Sequence, residues 1–379
     1  MALPSLPTTR AISKLVTLAA GLFALLEMST RVYLFGFAGL VPARINSVHG
    51  LPQTGFTQPS RLPGLAFELK PGVAGYFKLV PFSTNSRGLR DREYALGKPA
   101  NTFRVAVLGA SFAFPAGVAI EHAFHSLLEE QLSDEFAPTR YEFINFAVGM
   151  YNPKQVLTAL ELRALDYDPD LILFTATRLS LPRLVDDPSE KPQKPDALSS
   201  ILATRPVFQK SYPILQSFFL RFLAERTGRG PEIPHLQVGA LESLFIALVE
   251  RFSSPGAPAA QEAAETQKQR PPGRRSALPV HRRGTIIESL AELSRERHIP
   301  IVVVHLEFDA TEPRPVNLEV ERRIRDLGMY YVDTRHAFRG MRASDFWIYE
   351  LDPHPNRQAH EIFARVIATF LRSNGLLPQ

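Results

Sequence analysis

Apolar positions along the chain change period several times, and each change marks an element. Residues 15–41, LVTLAAGLFALLEMSTRVYLFGFAGLV, are almost continuously apolar and long enough for a bilayer span, which needs about 20 apolar residues. Short continuous apolar runs bounded by turn formers follow: RVAVLGA from 104, YEFINFAVG over 141–149, DLILFTA over 170–176, IPIVVVHLEF over 299–308 and MYYVDT over 329–334. Such runs predict strands buried on both faces. Between them lie stretches with helical spacing: 122–132, 153–167, 284–298 and 316–328, with a last helix from about Arg357 to Arg372. Strands alternating with helices of this length predict an α/β protein, a three-layer sandwich around a central parallel sheet.

The pattern is interrupted twice. Residues 42–100 are rich in Pro and Gly with short apolar runs, which predicts an irregular or short-stranded lead-in. Residues 181–280 form an insertion. It holds a polar Pro-rich run (186–196), two aromatic helical stretches (213–226 and 240–252), and a segment at 253–279 with almost no large apolar side chain. That last composition predicts disorder. The two helical stretches are expected to pack on the domain as a helical cap, with simple packing on the core edge or against a membrane as the alternatives. The predicted organisation is a cytoplasmic tip and anchor over 1–41, the lead-in, a main domain built from 101–180 and 281–379, and the insertion at 181–280.

Within the N-terminal stretch, Glu27 and Arg31 stand four apart, share a helix face and can pair. Arg10 and Lys14 precede the stretch, which predicts a cytoplasmic N-terminus and the remainder outside. The alternative is a cleaved signal peptide with residues 15–26 as its apolar region. No small-x-small cleavage site follows closely, which favours an uncleaved, single-pass anchor. The net charge is +5, with arginines scattered through many segments rather than gathered in a stripe, so no nucleic-acid partner is expected. There is no cysteine, which excludes disulfides, zinc-thiolate sites and cysteine nucleophiles. No histidine pair has metal-ligand spacing, and neither a G-x-G-x-x-G nor a G-K-[ST] turn is present. No metal or organic cofactor is expected.

Two segments about 240 residues apart carry candidate chemistry. FRVAVLGASFAFPAGV (103–118) reads as a strand, a Gly turn and a serine, Ser111, at the mouth of the next helix. LDPHPNRQAHEIF (351–363) places Asp352 and His354 on an extended loop, where residues two apart point the same way. The carboxylate can then hold the imidazole Nδ1 and leave Nε2 to take a proton from a serine. Taken alone, Ser111 reads first as a helix N-cap, and Asp352 and His354 as surface loop residues. His122, His125, His305 and His360 are rival histidines, and His305 reads as a satisfied core residue.

Four blocks in order resemble the SGNH hydrolases (GDSL esterases and lipases), in particular their bacterial membrane-anchored branch. They are NSRGLR (85–90); Gly109-Ala110-Ser111-Phe112 through Gly117-Val118; Asn145, Gly149, Tyr151 and Gln155; and Asp352, His354, Pro355, Asn356 and His360. The resemblance implies Ser111 as nucleophile, His354 as general base and Asp352 as its orienting group. It places an oxyanion hole at the N–H groups of Ser111 and of Gly149 or Met150. The implied reaction is ester hydrolysis or acyl transfer on an ester-bearing small molecule or glycan outside the cytoplasm.

There are departures from the family pattern. Ala110 stands where the family has a loop-supporting Asp. Ala147 and Met150 stand where Gly is usual. The family's third-block Asn falls on Thr177, Arg178 or Leu179, which leaves Arg178 as a substitute oxyanion donor. The alternative function is a member that has lost catalysis and binds glycan or an assembly partner.

Overall fold

The computed structural model describes residues 9–45, 51–186, 218, 219, 222, 226, 284–310, 315–350 and 352–378. The chain divides into two compact units, Met1–Leu40 with Ile214–Ala277, and Val41–Pro213 with Leu278–Gln379.

The first unit is built on helix α1 (Thr9–Phe35). The stretch Ser13–Leu40 is long and apolar enough to cross a membrane, and little of it is buried against protein. The Glu27–Arg31 pair expected from its spacing is present, Arg31 Nε donating to Glu27 Oε1 at 2.8 Å. Glu27 also accepts from the backbone N–H groups of Phe218 (3.3 Å) and Phe219 (3.0 Å). Aromatic edges meet at Phe35–Phe218 and Tyr33–Phe222, with centroids 5.1 and 5.6 Å apart. The described residues of the stretch 213–226, Phe218, Phe219, Phe222 and Arg226, therefore lie along α1. The Glu27 carboxylate accepting from two backbone N–H groups, together with the aromatic contacts, holds these residues there. The segments 240–252 and 253–279 lie outside the described residues.

The second unit opens with two small antiparallel pairs, β1 (Thr57–Pro59) with β2 (Phe67–Leu69), and β3 (Ala74–Phe77) with β4 (Val80–Ser83). The α/β pattern then runs β5 (Thr102–Leu108), α2 (Phe124–Glu135), β6 (Arg140–Asn145), α3 (Pro153–Ala159), β7 (Leu171–Ala176), α4 (Ile286–Arg297), β8 (Ile301–His305), α5 (Pro315–Asp326) and β9 (Tyr330–Asp333). It closes with β10 (Trp347–Tyr349), β11 (Asp352–Pro355) and α6 (Arg357–Ser373). The expected helix over 153–167 is one helical stretch of three pitches, α3 passing through a π-turn (Leu160–Ala164) into a 3-10 turn (Leu165–Tyr167).

Strands β6-β5-β7-β8-β9 form one parallel sheet in that order. Val105, Val107, Phe143, Leu173 and Val302 are fully buried, as the continuous apolar runs require of strands covered on both faces. Parallel crossovers are right-handed almost without exception. The chain steps one way from β5 to β6 and the other way from β6 through β9, so α2 belongs to one face and α3, α4 and α5 to the other. Packing agrees: α2 meets α6, and α3 meets α4. The connections leaving β5 and β7 go to opposite faces, which opens a crevice beyond their C-terminal ends. The opposite end of the sheet is tied by Arg104. Its buried guanidinium bonds Glu142 Oε2 (2.7 Å) and the carbonyls of Ala95, Leu96 and Tyr167 at 2.7–2.9 Å.

Candidate active site

The turn after β5 carries Ser111 into the crevice. Gly109 is required there, because a Cβ on it would meet Thr175 Oγ1 of β7 at 1.9 Å. Ser111 does not begin a helix, contrary to expectation. Residues 111–117 are consecutive turns, closed in part by Phe114 N donating to Ala110 O at 2.9 Å, and α2 starts only at Phe124. Pro115 and Gly117 (φ 77°) explain the delay, since the first removes a donor and the second takes a left-handed conformation. The dipole of α2 therefore does not begin at Ser111.

The turn is held from below. Arg90, buried, donates to the carbonyls of Phe114 (2.8 Å), Pro115 (2.6 Å) and Val118 (2.8 Å). Asn145, at the end of β6, donates from Nδ2 to Ala113 O at 2.9 Å and accepts from Ala147 N at 2.9 Å. Between them these two side chains hold the carbonyls of the turn that follows Ala110. Behind them, burial pushes the Asp91 carboxyl up to about 7, against the hydrogen bonds from the Asn145 and Arg92 N–H groups. Burial pushes His125 and His360 down to about 3, helped at His125 by its neighbours His360 and Arg90 and at His360 by Arg90. Neither Nε2 makes a hydrogen bond among the described residues, that of His125 lying 3.8 Å from Asp91 Oδ2.

Asp352 and His354 lie on β11, which pairs with β10 across a register shift. The His354 Nδ1–Asp352 Oδ1 hydrogen bond is formed, and His354 N also donates to Oδ1 at 3.2 Å. Oδ2 is engaged separately, by Lys78 Nζ and by Tyr349 OH at 3.2 Å. Burial alone would raise the Asp352 carboxyl, but the His354 hydrogen bond and the Lys78 ammonium hold it far below the ordinary carboxylate range. It is therefore ionised at any physiological pH. Asn356 caps α6, accepting from Ala359 N at 3.1 Å, and its Nδ2 ties Asp345 O and Trp347 O.

The two predicted segments meet. The His354 ring lies 5.8 Å from the ring of Phe112, the residue after Ser111, and Phe112 stacks on Phe308 at 5.7 Å on the end of β8. Gly117, from the same turn, abuts Ile348 of β10, where a Cβ would come within 2.7 Å of Cδ1. Ser111 is half-buried, and its Oγ has no hydrogen-bond partner among the described residues. The backbone N–H groups of Ser111, Gly149 and Met150 likewise donate to no acceptor among the described residues, as do those of Phe112 and Ala113. Met150 is 45% exposed with φ 74°, the left-handed conformation for which Gly is usual. The Arg178 guanidinium pairs with Asp309 Oδ2 (3.1 Å) and Glu307 Oε2 (3.9 Å). Sequence reasoning missed Lys78, Tyr349 and Arg90 as members of the site. Arg90 alone had a local signal, as the last residue of NSRGLR.

Fold and site together define an α/β sandwich with a hydrogen-bonded Asp–His pair beside a serine-bearing turn at the switch point of a parallel sheet. Solved structures similar to the chain include TesA, the acetyl xylan esterase AlAXEase and a GDSL-like lipase from Bacteroides thetaiotaomicron. Their identities are 11%, 12% and 10% and their TM-scores 0.34, 0.36 and 0.33. The matches cover 71%, 71% and 74% of this chain and 98%, 100% and 93% of theirs. No protein-family model and no curated protein matches the chain.

Proposed function

We propose that the chain is an SGNH-type serine ester hydrolase or O-acyl transferase, held in the cell membrane by α1 with its second unit outside the cytoplasm. In this reading residues 101–180 and 281–379 are the catalytic domain, 42–100 its lead-in and 181–280 an insertion. The observation that carries the proposal is the ionised Asp352 on His354 Nδ1, with the imidazole against the turn that holds Ser111.

The chemistry follows from these groups. His354 Nε2 takes the Ser111 Oγ proton as Oγ bonds to the ester carbonyl carbon. The carbonyl oxygen gains the electron pair of the broken π bond and rests against the N–H groups of Ser111, Gly149 and Met150, which are open for it. Collapse breaks the bond to the alcohol oxygen, which leaves with the proton from Nε2. Water then releases the acyl group as an acid, or a second hydroxyl carries it away as a new ester. An anchored enzyme facing outward suits an acylated polysaccharide or a lipid-linked glycan.

A second reading is a catalytically silent glycan- or partner-binding member. The isolated Ser111 Oγ and the missing third-block Asn favour it. One experiment separates the two. Spheroplasts carrying the full chain or Ser111→Ala are treated with a membrane-impermeant fluorophosphonate, intact and after lysis. Labelling of the parent alone, already in intact cells, is expected. Labelling only after lysis would reverse the orientation, and none under conditions that label an active esterase would leave the binding reading.

A further inference from the structure

Beyond the three residues that resemblance supplies, we infer that Lys78 is a positioning residue of this site, its ammonium locking the second oxygen of Asp352 and holding down the basicity of His354. The inference rests on the hydrolase reading for its catalytic consequence, and its electrostatic part is measurable without any activity.

Lys78 and Leu79 form the two-residue turn between β3 and β4, because Phe77 pairs directly with Val80. Both have positive φ, 48° and 71°. That is the tight hairpin geometry which Asn and Gly ordinarily fill. Two bulkier side chains in left-handed conformations are strained, and such strain is found where surrounding contacts over-determine it. Here the contacts are specific. Phe77 packs against Phe114 of the Ser111 turn at 5.8 Å, and Phe82 of β4 meets the same ring at 6.0 Å. The hairpin is thus seated on the serine turn while its tip reaches Asp352.

The reach matters because of how Asp352 divides its oxygens. Oδ1 serves His354, through both Nδ1 and N, and Oδ2 serves Lys78 and Tyr349. Lys78 and Asp352 are both buried, so little solvent screens the pair. With Oδ2 held, the carboxylate has no freedom to turn away from the imidazole. Among the described residues, the titratable groups bonded to Asp352 are His354 on β11, Lys78 from the β3–β4 turn and Tyr349 from β10. The serine turn offers only the uncharged ring of Phe112. One positive charge against this carboxylate offsets part of the attraction that would otherwise make His354 more basic.

The test titrates His354 in the full chain in detergent micelles, with 13C at histidine Cε1 and the resonance identified by its loss in His354→Gln. Lys78→Met is expected to raise the His354 pKa by about one unit, the effect of deleting one partly buried charge a few ångströms away. Lys78→Arg is expected to leave it within about 0.3 units, since the charge is kept. Fluorophosphonate labelling of Lys78→Met should slow about tenfold, with its acid limb moved up by the same unit. Should Lys78→Met fail to fold, Lys78→Gln keeps a donor without the charge and carries the same titration. A His354 pKa unchanged in a folded, uncharged variant overturns the inference whether or not the parent labels. A shifted pKa in a chain that never labels supports Lys78 and removes the hydrolase reading alone.

Discussion

Met150 holds a conformation its side chain disfavours. Its φ of 74° belongs to the left-handed region, and its side chain is nearly half exposed, so little burial compensates. The neighbouring N–H of Gly149 and that of Met150 point to no protein acceptor among the described residues. The turn keeps the shape that a Gly-rich loop would have, without the glycine. Met150→Gly should therefore raise the unfolding free energy by about 0.5–1 kcal/mol, strain relief exceeding the added entropy of the unfolded chain. Urea unfolding measures it, and a loss of stability would mean that the Met side chain packs usefully. The same contrast appears at Gly109, where no other residue fits against Thr175.

Among the elements, β5 is engaged at both ends. Its C-terminal end delivers Ser111, while its N-terminal half carries Arg104 with no exposed surface, against a Glu142 that is almost as buried. Removing one member of such a pair strands a charge in a low-dielectric interior. Arg104→Met is expected to cost about 3–5 kcal/mol in urea unfolding, and the double change with Glu142→Leu to recover much of that. Equal losses in the single and double variants would show that the carbonyls of Ala95, Leu96 and Tyr167 need the guanidinium more than Glu142 does. The β10–β11 hairpin follows the same logic, since Asn356 ties α6 to Asp345 and Trp347 and thereby sets where His354 emerges.

For the whole molecule, pH is the sharpest probe. His125 and His360 have folded-state pKa values lowered to about 3 by burial, while the unfolded chain takes up those protons near pH 6.5. Their contribution to stability is complete above 6.5 and is lost as pH falls towards 3. Each histidine removes up to about 1.4 kcal/mol per pH unit. Asp91, raised to about 7, works in the other direction. The folded state holds its proton from about 3.8 upward, so its contribution is lost as pH rises through 7, and it offsets one of the two histidines in between. His360→Gln keeps an acceptor near Phe124 N and deletes one titrating site. The slope of unfolding free energy between about pH 5.5 and 4 should become shallower by about 1.4 kcal/mol per unit. Parallel curves for parent and variant would show that His360 is not held neutral in the fold.

What the sequence determined by itself is whatever depends on near neighbours. Continuous apolar runs placed the five strands of the sheet, and their alternation with helices made it parallel, because burial on both faces leaves no room for polar alternation. The i, i+2 spacing of Asp352 and His354 put them together, and the i, i+4 spacing did the same for Glu27 and Arg31. Local reasoning failed first at Ser111, where Phe112, Ala113 and Phe114 look like the start of a helix and Pro115 and Gly117 prevent one. Only the tertiary structure decided what holds the site. It brought Lys78 to a carboxylate 274 residues away, set Arg90 under the serine turn, and paired Arg178 with Asp309 and Glu307. Periodicity is written between residues a turn or a pleat apart, whereas a charge finds its partner across space, and that partner is fixed only once the hairpins and strands have packed.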